Sequence, residues 1–181
     1  MPYDLFQHRH NFAAWAAARG AQRRFSDVGS MVEALEASGI REFLGPKAPP
    51  KVDREAFKRA HRKWCTSICR SWKRMGLAGI TYGRAAKLVA LYLKAMIVTG
   101  GHSHTSLSAE AHPPVDRILL QALARKLKHP QPLRAHWRTV AWTKLDAKGY
   151  YTLIDQLRGT LEAKQPFWKL EADWNPQELG R

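Results

Sequence analysis

The chain has 181 residues, 45% of them hydrophobic, which is enough for a folded domain with a core and too many for a disordered chain. Against 15 Asp and Glu it carries 30 Lys and Arg, a net charge of +15 that points to a polyanionic partner, nucleic acid being the commonest. No apolar run approaches the ~20 residues that a membrane helix needs; the longest, Leu88 to Val98, is interrupted by Lys94.

Apolar residues recur at i, i+3, i+4 throughout, without period-two alternation, so the expected fold is all-α: one domain over residues 1–181 with six or so helices. The first helix is predicted from about Asp4 to Arg19, with Leu5, Phe12, Trp15 and Ala16 inward. Ser30-Met-Val-Glu33 has the pattern of a capping box and opens a short helix ending near Gly39. Gly45 to Pro50 (GPKAPP) is a connector. A long helix follows from about Asp53 to Met75, with Phe57, Trp64, Cys65, Ile68, Cys69 and Trp72 on one side. Its two cysteines, four apart, are poorly placed to bridge each other and are expected as reduced, buried thiols.

The turn GLAGITYG (Gly76 to Gly83) leads into a helix from about Tyr82 to Val98. Pro113 and Pro114 hold the next approach extended, and Asp116 falls at the N-cap of a helix that runs to about Lys128. The stretch AHWRTVAWTKLD is read as irregular or partly extended. A second capping box, Thr143 to Asp146, opens a last helix to about Lys164; Pro166 ends it, and a Trp-containing tail is expected to pack back on the body. The N-terminus, MPYDLFQHRH, lacks the basic-then-apolar layout of a signal peptide, so a bacterial cytoplasm is the expected location.

The positive charge is unevenly placed. Lys51 to Arg74 holds nine basic residues against Asp53 and Glu55, and Arg117 to Lys148 holds eight against Asp146, whereas Ser26 to Gly45 is net acidic. Arg84, Lys87, Leu91 and Lys94 form one stripe that points three cations the same way, toward phosphate or toward solvent. Asp at a helix N-terminus most often serves as a cap, but the positive end of the dipole also keeps such a carboxylate ionised and facing outward, which suits a catalytic anion. Trp137 and Trp142, flanked by His136, Arg138 and Lys144, are candidate stacking groups as well as ordinary core residues. His102, His104 and His112 share one loop, but their spacing matches no standard zinc pattern; neither metal nor cofactor is expected, and phosphate or base contacts are the preferred role. His8 and His10 are read as surface groups.

GLAGITYGRAAK (Gly76 to Lys87) followed by HPPVDRILL (His112 to Leu120) resembles the helix-hairpin-helix DNA glycosylase superfamily, over about a quarter of the chain. In that family an aspartate follows a short apolar-proline approach, as Asp116 does in PPVD. Gly79 and Gly83 stand further apart than the family's hairpin glycines, and the loop from Thr99 to Pro114 is longer than typical. The size and the Trp-rich tail look most like compact bacterial glycosylases used against phage DNA carrying modified bases, such as glucosylated hydroxymethylcytosine.

The resemblance implies an enzyme that extrudes a modified nucleotide and hydrolyses its N-glycosidic bond, with Asp116 as the stabilising anion. Lys87 is the nearest match to the nucleophilic lysine of bifunctional members, displaced by about two residues, and a phosphate contact suits it better; the expected enzyme is therefore monofunctional and leaves an abasic site. His112, His136, Trp137 and Trp142 would hold the base; Arg84, Lys94, Arg117, Arg138 and Lys144 would hold the DNA. The expected partner is duplex DNA, bound by a monomer with no membrane association. The alternative is a non-catalytic, basic, helical nucleic-acid-binding protein. A nuclease is disfavoured, because two-metal sites need clustered carboxylates.

Overall fold

A computed structural model describes residues 3–22, 24–126 and 128–175, and within them the chain is all-α with no strand. The elements are α1 (Leu5–Ala21), α2 (Val28–Glu36), α3 (Ile40–Leu44), α4 (Arg54–Arg74), α5 (Tyr82–Leu93), α6 (Ser106–Glu110), α7 (Arg117–Arg125), α8 (Gln131–Thr139) and α9 (Ala147–Arg158). A π-helical segment, Lys94–His102, prolongs α5, and 3-10 turns form at Trp142–Lys144 and Phe167–Asp173. No helix among the described residues is long and apolar enough to cross a membrane.

Aspartates fix most of the helix starts. The side chains of Asp4, Asp27, Asp53, Asp116 and Asp146 each accept a backbone amide from the first turn that follows. The expected capping box at Ser30 gives way to Asp27, whose carboxylate takes both the Ser30 amide (2.9 Å) and its hydroxyl (2.7 Å), so α2 starts earlier than predicted. α7 and α9 stop at Arg125 and Arg158, short of Lys128 and Lys164. The stretch read as irregular contains α8, which starts behind Pro130 with Pro132 in its first turn, a position where proline's missing N–H costs nothing.

Helix α5 is the hub, buried from Gly83 to Ala90 except at Arg84, with α1 and α4 packed against it and α9 and the Trp142–Lys144 turn behind. The face that α1 turns inward is the reverse of the expected one. Leu5, Phe12 and Trp15 are 57%, 60% and 53% exposed, whereas Ala13, Ala14, Ala17, Ala18 and Ala21 are buried. Small side chains allow close approach to α5: a Cβ on Gly20 would lie 2.8 Å from Leu91 Cδ1. His10, expected at the surface, also lies on this inner face, hydrogen-bonded to Tyr92 (2.8 Å) and paired with Glu36.

Candidate functional site

The buried Pro113, Pro114 and Val115 carry the chain to Asp116, whose extended backbone (φ −147°, ψ 178°) begins α7. Asp116 Oδ1 accepts the Leu119 amide at 3.0 Å. Its Oδ2 accepts from Lys87 Nζ at 3.1 Å and from Trp174 Nε1 at 3.3 Å. The carboxylate is therefore not outward-facing as expected: Asp116 is 4% exposed and Lys87 5%. The reason is electrostatic. An ionised carboxylate can leave water only with a counter-charge and filled lone pairs, and α5 brings Lys87 to it from beneath. Lys87 Nζ also sits 4.7 Å from the centroid of the Trp142 ring, so the ammonium lies between a carboxylate and an indole and is not at hand for phosphate.

The segment after Pro166 covers this pair. Phe167 and Leu170 anchor it in the core. Beyond them Lys94 Nζ meets Glu171 at 2.6 Å and lies 5.5 Å from the Trp174 ring centroid, while Lys126 Nζ meets Asp173 at 2.6 Å. Burial pushes the Glu171 carboxyl above its ordinary value, against the pull of Lys94. A cleft of about 680 Å³ runs beside the segment, lined by Lys94, Lys126, Lys128, His129, Lys169 and Trp168 among others.

Of the expected base-binding residues, the structure gathers only Trp142 near Asp116. His112 is buried in an aromatic cluster, hydrogen-bonded to Tyr150 (3.0 Å) and packed against Phe57, His61 and Phe167, and not beside Asp116 as a base-holding group would be. Trp137 is also core: it lies edge-on to His129, on the inner face of α8. Arg117 and Lys144 are exposed, as a DNA-contacting role requires; His136, expected at the base, is exposed as well. Arg138 is exposed too, but its guanidinium is turned to the Ala124 carbonyl (3.4 Å), beside Arg134 (3.1 Å), where the two neutralise the negative end of α7. Arg84 lies over the Phe25 ring (4.6 Å), and Lys94 is engaged by Glu171, so the three cations of the α5 stripe do not share one open face.

The turn before α5 holds Gly76 and Gly79 at φ +73° and +71°. Gly83 is required for another reason: a Cβ there would lie 2.1 Å from the Trp142 carbonyl oxygen. Its amide donates to the Leu145 carbonyl (3.0 Å), and the Arg84 amide to Thr81 Oγ1 (3.3 Å). These two amides, at the start of α5, are occupied within the chain and are not free for a phosphate.

Sequence reasoning missed Trp174, Glu171, Asp173 and Lys126. Nothing in their local pattern marks them; Trp174 meets Asp116, Glu171 meets Lys94 and Asp173 meets Lys126 only through the return of the tail. The broad charge signal is visible instead on α4 and its approach, where Lys51, Arg54, Arg59, Arg62, Lys63, Arg70, Lys73 and Arg74 are all exposed. Cys65 and Cys69 are free; Cys65 is buried and Cys69 half-buried, its thiol pushed up to about 11 by burial. No three His, Cys, Asp or Glu side chains among the described residues are placed to hold a metal ion.

No family model matches the chain, and no curated protein or solved structure is significantly similar to it.

Proposed function

We propose that the protein is a monofunctional DNA glycosylase acting on modified bases, glucosylated hydroxymethylcytosine being the specific candidate, with Asp116 as its catalytic anion. The observation that carries the reading is the Lys87–Asp116 pair at the head of α7, between the indoles of Trp142 and Trp174. An extruded nucleotide seated beside Trp142, where the Trp174 indole lies in the free protein, would place its C1′ against the carboxylate. As the C–N bond breaks, the electron pair leaves with the base, and Asp116 stabilises the oxocarbenium-like sugar. Water then adds at C1′ and its proton passes to the departed base, leaving the neutral free base and an abasic site. Lys87 holds the carboxylate in place, its ammonium 3.1 Å from Oδ2. The exposed cations of α4, with Arg117 and Lys144, supply the attraction for DNA.

A second reading is a non-catalytic nucleic-acid-binding protein. The burial of Asp116, with both oxygens hydrogen-bonded, favours it, because the pair would then only tie α5 to α7. Duplexes of normal and phage-modified composition, incubated with wild type or Asp116→Asn and then treated with alkali, separate the two. Asparagine keeps an acceptor for the Leu119 amide. Strand breaks with wild type alone support the enzyme; intact DNA on every substrate, with binding retained, supports the second reading.

A further inference from the structure

The contacts that fasten the tail use the groups that a nucleic-acid strand would need. Glu171 lies on Lys94, Asp173 on Lys126, and the Trp174 indole reaches Asp116 while lying under the Lys94 ammonium. In a chain with twice as many basic as acidic residues, two carboxylates within three positions sit against two lysines of one cleft. The same cleft is lined by Lys128 and by His129, which is 7% exposed and whose Nε2 has no hydrogen-bond partner among the described residues. A buried imidazole nitrogen left unmatched beside lysines has room for one partner from outside the chain, a water or a ligand atom.

We propose that Glu171–Trp174 is a built-in mimic of a nucleic-acid strand, its two carboxylates standing where backbone phosphates bind at Lys94 and Lys126 and its indole standing where a base meets Asp116. The proposal deepens the functional reading above and rests on it for the role of Asp116. The mimic closes the site in the free protein, and DNA displaces it. Displacement is feasible because both ion pairs are partly exposed, and such pairs are weak and screened by salt. Phe167 and Leu170 stay in the core, so only the segment beyond them has to lift. The closed state lowers apparent affinity by the fraction of molecules that are open.

The test is oligonucleotide binding by fluorescence anisotropy with wild type, Glu171→Gln/Asp173→Asn and a charge-matched control, Glu33→Gln/Glu42→Gln, whose side chains are exposed and make no part of the cleft. The tail variant is expected to bind about tenfold tighter, as for a site open about one tenth of the time, and the control to change little. Equal affinity, or an equal gain in the control, overturns the proposal. Hydrogen exchange on the wild type gives an answer independent of whether the variant folds: saturating oligonucleotide should speed exchange of the amides at 171–175, and slower exchange there would contradict displacement. Tighter binding without base release would remove the glycosylase and keep the mimic as a guard on a binding site. Base release with unaltered affinity would do the reverse.

Discussion

Lys87 Nζ lies 3.1 Å from Asp116 Oδ2, joining the middle of α5 to the N-cap of α7 across a sequence separation of 29. Both side chains are buried, so the pair is an electrostatic unit whose halves depend on each other. Removing one partner strands a charge in the interior, at a cost of about 3–5 kcal/mol, whereas replacing both with apolar groups of similar volume costs far less. Lys87→Met and Asp116→Leu should each lower the urea midpoint sharply, with the double variant losing less than the sum. Additive losses would mean that the two groups do not act as a pair.

Gly83 is a point of close approach. Gly83→Ala drives a methyl into the Trp142 carbonyl, and the expected loss is about 3 kcal/mol or more, at the upper end of overpacking effects. Gly76→Ala meets open space and bears only the cost of a left-handed backbone, about 1 kcal/mol. Thermal unfolding of the two variants should rank them in that order.

The outer face of α1 should tolerate truncation. Phe12→Ala and Trp15→Ala are each expected to stay within about 0.5 kcal/mol of wild type, since both rings are more than half exposed. Ala17→Leu, against α5, should cost about 1–3 kcal/mol. Unfolding by denaturant checks both, and a large loss at Phe12 would restore the face that hydrophobic spacing alone suggests.

Stability should fall on mild acidification. Burial depresses the His61 imidazole from 6.5 to about 3, and His112 well below 6.5, with burial the main cause and the neighbouring His61, Arg158 and Lys58 adding to it. The unfolded chain takes up these protons near 6.5 and the folded chain does not. The stabilisation is therefore complete above that value and is lost as pH falls below it, down to about 3 for His61, by up to about 1.4 kcal/mol per pH unit for each histidine. Urea unfolding at a series of pH values tests the slope, and His61→Phe should remove one histidine's share of it.

The helical class was legible because spacing at i, i+3, i+4 recurs along the whole chain, and α4 and the Asp116 cap emerged almost to the residue. The orientation of α1 was not legible, since hydrophobic size favours Phe12 and Trp15 while the tight crossing with α5 favours alanine. Asp116 could be found from its proline approach and its helix, but its burial could not. That depends on Lys87, nearly thirty residues before it, and on Trp174, nearly sixty after, and no local pattern encodes either meeting. His112 shows the same difficulty in reverse: a histidine in a polar-looking loop proves to be a core residue, because Tyr150 supplies its partner.

The most direct test of the central claim is the identity of what leaves the DNA. Phage-modified duplex incubated with the wild-type protein should release free modified base, detected by mass spectrometry, in equal amount to the abasic sites formed, and Asp116→Asn should release none. Modified DNA recovered with every base in place after binding to the wild-type protein would contradict the account.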